Sequence, residues 1–374
     1  SLMTTFKEIR GQLIKSLASD PSPVTTGDMW YNSTSKTLKG VQAVGAWSSA
    51  NALNTARESG ASSSEGATQN AAFYAGGTTP YRANSEEYNG TSWSEGNDLN
   101  TARAQVAGAG SQTAGLCFAG FISPGGVQSL SEEYNGTSWV EGNNMNVARY
   151  GPAGFGSQTA AVGCAGYSTA NTTLSEEYDG TSWTEGNNLN TARQKVVGAG
   201  VQTAAVAFGG TPPGELATTE EYDGSSWSNA NNMNTGRKTA TGFGLQTAAI
   251  VAGGEIANDV GIATVEAYDG TNWTAVNSMQ RVYYANASCG TQTNGLVFGG
   301  APGAGQSGSQ QYDGTNWVTS APLTTGRWKL GSGTAATASS ALAFGGGPPP
   351  DGNAGTEEFT GETTALNLKT ITDS

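Results

Sequence analysis

The chain has 374 residues, no histidine, and a formal net charge of −13, with 17 Lys plus Arg against 30 Asp plus Glu. The missing histidine excludes His general acid/base catalysis, Ser–His and Cys–His nucleophile pairs, and the usual imidazole ligands of zinc, copper and iron. The scarce, unclustered cations argue against a phosphate-neutralising nucleic-acid surface and against attraction to anionic lipid. Gly supplies 55 residues, about twice ordinary usage. With the many Ser, Thr and Asn residues, this favours short strands and tight turns over long helices.

No apolar run approaches the roughly 18 residues of a membrane-spanning helix, so no membrane insertion is expected. The first residues, with Lys7, Glu8 and Arg10 among apolar neighbours, lack a signal-peptide core. Residues 1–40 read as an N-terminal extension. Phe6, Ile9, Leu13 and Leu17 recur at roughly helical spacing, although Gly11 weakens a helix and a strand is the alternative. Pro21 and Pro23 end the segment. It is either a packing appendage or an attachment and oligomerisation segment. Residues 28–47 read as strands joined by a polar turn.

From Trp47 a repeat takes over, and residues 41–374 read as the domain built from it. Trp47, Trp93, Trp139, Trp183, Trp227, Trp273 and Trp317 are spaced 46, 46, 44, 44, 46 and 44 residues apart. One unit, from Arg193 to Trp227, reads as four strands: KVVGAG, QTAAVAFGG, TTEEYDG and SSWSNA. Between the third and fourth strands lie Asn89-Gly90, Asn135-Gly136, Asp179-Gly180, Asp223-Gly224, Asp269-Gly270 and Asp313-Gly314. These pairs predict two-residue type I′ turns, in which both residues need φ > 0. Four-stranded units repeating every 40–50 residues predict an all-β, seven-bladed β-propeller of four-stranded antiparallel blades. Small residues such as Ala107-Gly108-Ala109-Gly110 mark the inner strand, where the sheets converge. Trp47 has no preceding first and second strands, and residues 330–359 lack a following Trp. The Trp47 strand is therefore expected to complete the last blade and close the ring by pairing N- and C-terminal strands. Residues 364–371 are a rival for that place, or an extra outer strand.

A Gly pair after the second strand, then Glu-x-Tyr, Trp and Arg in each unit, resembles the kelch repeat family over about residues 47–360. The pairs are Gly76-Gly77, Gly209-Gly210, Gly253-Gly254, Gly299-Gly300 and Gly345-Gly346, with Ala before Gly120 and Gly166. The Trp stands only five residues after the Tyr, a shorter connection than the family's. The resemblance implies a six- or seven-bladed propeller used for binding, although enzymes such as galactose oxidase occur. Gly27–Gly40, GDMWYNSTSKTLKG, together with the EEYNGTSW and NTAR repeats, resembles virion structural or tail-fibre-type proteins of marine bacteriophages. That implies a virion or extracellular-surface location, with a cytoplasmic one as the alternative.

Repetition separates structural from functional candidates. The tryptophans, and Arg57, Arg103, Arg149, Arg193, Arg237 and Arg327, recur in register with Glu86, Glu132, Glu176, Glu220, Glu266 and Glu357. A duty repeated in every unit is structural: tryptophans packed between blades and a set of Arg–Glu pairs, rather than a sugar-stacking array or glycosidase carboxylates. Arg281 is out of step, Tyr283 takes the aligned place, and Gln310 replaces the Glu. The turn DGTSW lacks the spacing of the sialidase Asp box. The sequons at Asn89 and Asn135 read as turn chemistry, and no EF-hand-like Ca²⁺ spacing occurs. Cys117, Cys164 and Cys289 match no metal spacing and read as buried free thiols. No cofactor or metal is expected.

The connections between second and third strands all differ: 78–84, 121–130, 167–174, 211–218, 255–264, 301–308 and 347–355. Loops on a rigid scaffold carry recognition, so Tyr81, Arg82, Phe121, Ile122, Tyr167, Glu215 and Asp259 are the candidate ligand contacts. The expected function is a non-enzymatic binding or structural module recognising a host-surface glycan or protein. The alternatives are an intracellular bacterial protein-interaction scaffold and, third, a carbohydrate-active enzyme using carboxylates only.

Overall fold

A computed structural model of the chain describes residues 14–22, 28–43, 45–63, 68–78, 80–212, 214–257, 260–303, 305–333, 338–347, 352–361 and 366–371. The chain is all-β, with no α-helix among the described residues. It divides into two units, one of Ser1–Ala46 with Thr360–Ser374 and one of Trp47–Phe359.

In the first unit, Lys15–Leu17, Met29–Asn32, Thr37–Ala43 and Leu366–Ile371 form one sheet in that order. Lys15–Leu17 runs parallel to Met29–Asn32, and the other pairs are antiparallel. Of the helix and strand alternatives, Lys15–Leu17 takes the strand, while Phe6, Ile9 and Leu13 lie outside the described residues. A short segment between Gly11 and Pro21 gains little from helix nucleation, whereas Met29–Asn32 offers it a ready backbone partner. The Asp20 carboxylate gathers the sheet's polar groups, accepting from Lys39 Nζ at 2.7 Å, Asn32 Nδ2 at 2.8 Å and Trp30 Nε1 at 3.1 Å. The Lys39 bond foremost holds its carboxyl below the usual range. Leu366–Ile371 pairs with Thr37–Ala43 within this unit.

The second unit repeats one four-stranded antiparallel sheet, propeller-like, with strands in sequence order across each sheet. The first is Ala61–Ser62, Ala72–Ala75, Ser85–Tyr88 and Trp93–Glu95. The same pattern follows over 107–141, 153–185, 197–230, 241–276 and 287–319. Gly331–Gly333, Ser340–Phe344 and Thr356–Thr360 are completed by Ala46–Ala50, the strand of Trp47. First strands of consecutive sheets lie against each other, and Gly331–Gly333 lies against Ala61–Ser62.

The core lies between sheets rather than within them. Phe118 of one sheet packs against Trp183 of the next at 4.8 Å between ring centroids, and Tyr178 covers the same Trp at 5.1 Å. Met145, from the intervening crossing, is buried in that cluster. The indole N–H also ties neighbours together. Trp93, Trp139, Trp227 and Trp273 donate to Thr356, Ser85, Ser175 and Thr219 on the third strand of the adjacent sheet, at 2.7, 2.8, 3.0 and 2.8 Å. The hairpin joining first and second strands adds a clamp: Gln112, Gln158, Gln202, Gln246 and Gln292 donate Nε2–H to the carbonyls of Tyr88, Tyr134, Tyr178, Tyr222 and Tyr268 in the preceding sheet. Cys117, Cys164 and Cys289 are buried free thiols; burial pushes Cys164 and Cys289 up to about 12, which keeps them protonated and inert.

Two turns follow backbone needs. In the Asp-Gly and Asn-Gly turns only the Gly takes a positive φ, 87° at Gly180, so they are not the type I′ turns expected. The Asp179 carboxylate instead accepts from the amides of Ser182 and Thr181, both at 2.8 Å, which hold it below the usual carboxylate range. The Gly pair after the second strand has φ of 68° and 105° at Gly209 and Gly210, and a Cβ at Gly210 would meet the Gln194 carbonyl oxygen at 2.7 Å. Ala119 and Ala165 accept the left-handed first position, with φ of 61° and 58°.

The arginines are wholly buried with their carboxylates. Arg57–Glu86, Arg103–Glu132, Arg149–Glu176, Arg193–Glu220 and Arg237–Glu266 are joined at 2.5, 2.6, 2.7, 3.0 and 2.5 Å, and Arg327 pairs with Glu357. Burial lowers the pKa of Arg149, Arg193, Arg237 and Arg327 against the pull of their partners. The second carboxylate oxygen accepts the backbone N–H of Asn54, Asn100, Asn146, Asn190, Asn234 or Thr324, at 2.5–2.7 Å. Each Glu thus anchors the crossing that leads into its own sheet. Where the series breaks, both partners change together: Tyr283 and Gln310 are buried in place of the ion pair, so no lone charge is left there. The two side chains leave Tyr283 Oη and Gln310 Nε2 without a hydrogen bond.

Two outcomes are expected in urea denaturation. Tyr283→Arg or Gln310→Glu alone buries an unpaired charge and loses about 3–5 kcal/mol, while the double variant recovers most of it; a double variant as unstable as either single one contradicts the assignment. Trp183→Ala, in an inter-sheet cluster, loses about 3–5 kcal/mol, and an unchanged midpoint contradicts that packing role.

Candidate functional site

Each crossing from a fourth strand to the next first strand continues past its Arg, or past Tyr283 in the one crossing where Tyr replaces it, with a residue bridged to the one after the Gly pair or its Ala-Gly equivalent. The bridges are Glu58–Thr78, Ala104–Phe121, Tyr150–Tyr167, Gln194–Thr211, Lys238–Glu255 and Tyr284–Ala301. Gly347 N–H donates to the Trp328 carbonyl at 2.8 Å in the corresponding place. The backbone arrangement repeats, whereas the side chains it presents differ in every sheet.

The next residue in each crossing takes a left-handed conformation: φ is 60° at Ser59, 54° at Gln105, 60° at Gly151, 54° at Lys195, 51° at Thr239, 49° at Ala285 and 49° at Lys329. Such φ values cost an ordinary residue on the order of 1 kcal/mol or more. At six of the seven positions, all but Lys195, the cost is offset by amide bonds between neighbours, from Gln105 to Ser59 at 3.1 Å, Gly151 to Gln105 at 2.9 Å, Ala285 to Thr239 at 2.9 Å and Lys329 to Ala285 at 3.0 Å. A collar of main chain therefore positions the variable side chains.

On this frame the structure brings three candidate contacts together through a fourth residue. Tyr81 lies 6.1 Å from Phe121, Phe121 lies 5.8 Å from Tyr150, and Tyr150 lies 5.3 Å from Tyr167, ring centroid to centroid. All four rings are half-buried. Phe121 and Ile122 sit in a small hairpin with Gly126–Val127, and Glu255–Ile256 forms a similar one with Val260–Gly261. Arg82 stands beside Tyr81, and its backbone holds the loop, donating to Gly77 at 2.9 Å and accepting from Arg103 at 3.0 Å.

Glu215 does not join the aromatic row. It pairs with Lys238 Nζ at 3.3 Å, a local bond across the start of its own sheet's neighbour. Asp259 lies outside the described residues. A comparable charged cluster forms where Lys329 Nζ lies 3.2 Å from Glu58 and 4.5 Å from the Trp328 ring. Among the described residues no group of three or more Cys, Asp or Glu is arranged to hold a metal ion. The row itself is uncharged.

Tyr150 is the member that reasoning from the loops alone misses. The crossings look like near-copies through their Asn, Leu or Met and Arg positions, yet the residue after the Arg varies: Glu58, Ala104, Tyr150, Gln194, Lys238, Tyr284 and Trp328. That variation within a repeated stretch is a signal available in the sequence.

No known protein family matches the sequence, and no curated protein matches it either. Among solved structures, the chain is similar to the one described as "Structure of YjhT", with a TM-score of 0.56 and 12% identity, over 72% of this chain and 99% of that one. At that identity the likeness concerns the fold alone.

Proposed function

We propose that the second unit is a closed, seven-bladed, kelch-like β-propeller that serves as a non-enzymatic binding module. Closure is supported by the Trp47 strand in the sheet of residues 331–360 and by the side-by-side first strands that run from Ala61–Ser62 round to Gly331–Gly333. The observation that carries the binding reading is the row Tyr81, Phe121, Tyr150 and Tyr167. Its half-buried rings come from the non-repeating positions of a scaffold whose repeated polar groups are largely consumed by internal bonds. Partly exposed aromatic side chains held on a rigid frame offer large contact area at small entropic cost.

The setting proposed for the module is a phage particle, on which it recognises a host-surface glycan or protein. This rests on the resemblance of Gly27–Gly40 and of the EEYNGTSW and NTAR repeats to marine phage virion proteins. Mass spectrometry of purified virions tests the setting: the chain is expected among the particle's stoichiometric components, and recovery only from the host's soluble fraction contradicts it.

Two stability measurements test the architecture and the division of labour. With the ring closed, Trp47→Ala, which removes contacts to Phe298 at 4.7 Å and Phe359 at 5.1 Å, destabilises the unit about as much as Trp183→Ala, by about 3–5 kcal/mol in urea. An open ring would give a much smaller loss. Tyr150→Ala, in a ligand-facing row, is expected to cost no more than about 1.5 kcal/mol; a loss as large as that of Trp183→Ala assigns Tyr150 to the core instead.

A further inference from the structure

We propose that the row Tyr81–Phe121–Tyr150–Tyr167 binds an uncharged oligosaccharide of at least two sugar units. The inference rests on the reading of this face as the recognition face and adds the chemical class of its ligand. The first argument is the state of the phenols. Four core tyrosines spend their hydroxyls internally, Tyr88 and Tyr268 donating to Glu358 and Glu221 at 2.5 and 2.9 Å and Tyr178 and Tyr222 to Glu133 and Glu177, while Tyr134 Oη and Tyr283 Oη are sealed in the core without a partner. The hydroxyls of Tyr81, Tyr150 and Tyr167 have no hydrogen-bond partner among the described residues. Half-buried rings with free hydroxyls present an apolar face and a polar rim together. A pyranose has the complementary surface, a C–H face that stacks on a ring and a hydroxyl edge that exchanges hydrogen bonds with a phenol.

Charge and backbone narrow the class. None of the four side chains is charged, the Glu215 and Glu58 carboxylates are paired with Lys238 and Lys329, and the chain carries −13 overall. A polyanionic glycan is repelled by that field and finds no free cation in the row. A peptide adding as a strand needs open amides and carbonyls. Here Tyr150 and Tyr167 satisfy each other at 2.9 and 3.0 Å, and Ala104 and Phe121 at 3.1 and 2.8 Å.

Geometry sets the length. Tyr81 and Phe121 are inclined at 42°, and Tyr150 and Tyr167 at 32°, but Phe121 meets Tyr150 edge-on at 83°. The row is therefore two shallow platforms meeting at an angle, and one sugar cannot cover both.

The test uses the full chain on an array of neutral, sialylated and sulfated oligosaccharides of graded length, with polylysine and polyproline peptides alongside. The wild-type chain is expected to retain neutral glycans, with retention rising from mono- to tetrasaccharide. Tyr150→Ala is expected to weaken it at least about tenfold, the scale of one lost aromatic contact. The triple Tyr→Phe variant at 81, 150 and 167 keeps the rings and removes only the hydroxyls; it is expected to weaken retention about tenfold. Tyr31→Ala, in the N-terminal unit, leaves it unchanged. The proposal is overturned if no neutral glycan is retained, if only anionic ones are, or if retention survives both Tyr150→Ala and the triple variant. Retention of a peptide alone, lost in Tyr150→Ala, overturns the sugar assignment while leaving the recognition face in place; loss of every ligand's dependence on Tyr150 overturns both.

Discussion

A guanidinium removed from water is tolerable only if a carboxylate comes with it, and that condition organises the repeat. Each buried Arg leaves a crossing, meets the Glu of the sheet it introduces, and leaves that Glu a second oxygen for the crossing's own amide. The pair fixes where one sheet begins relative to the last. Packing supplies the larger share of the free energy, because the tryptophan and the Leu or Met of each crossing fill the space between sheets. The ion pairs supply position. A buried salt bridge adds little stability over an apolar replacement, yet its loss by halves is severe. The paired change to Tyr283 and Gln310 is what that asymmetry demands.

Much of this was legible because it is periodic. The tryptophan spacing identifies the units, the Gly pairs mark the left-handed exits from the second strands, and the placing of the Trp47 strand follows from counting which strands lack partners. The Arg–Glu pairs were legible for the same reason. What escaped was set by contacts that no local pattern announces. Leu366–Ile371 pairs with Thr37–Ala43 across most of the chain's length. The Asp-Gly turns depend on a side-chain carboxylate capturing two amides, which dipeptide preferences for turn type do not encode. The Gln clamps on the tyrosine carbonyls sit in hairpins whose Gln-Thr pair looks like ordinary turn chemistry.

The candidate face was legible in part. Tyr81, Phe121 and Tyr167 stand out because their loops break the repeat. Tyr150 hides within a crossing, where conserved-looking neighbours mask it. Glu215 is a charged loop residue whose partner, Lys238, lies in the next crossing, so its neutralisation becomes visible only in three dimensions. Exposure in a loop is thus a poor guide to charge available for a ligand, whereas variation at a structurally repeated position is a better one.

The collar of left-handed residues has an evolutionary consequence. All its members but Lys195 are joined to a neighbour through main-chain amides and carbonyls, which every amino acid but proline supplies in full. Side chains at the bridged positions beside it can therefore be exchanged for others of different size and charge without loosening the frame, as Glu58, Ala104, Tyr150, Gln194, Lys238, Tyr284 and Trp328 already illustrate within one molecule. On the proposed binding reading, a protein built this way can change what it recognises by point substitution alone. Adaptation of the face and preservation of the fold then become nearly independent problems.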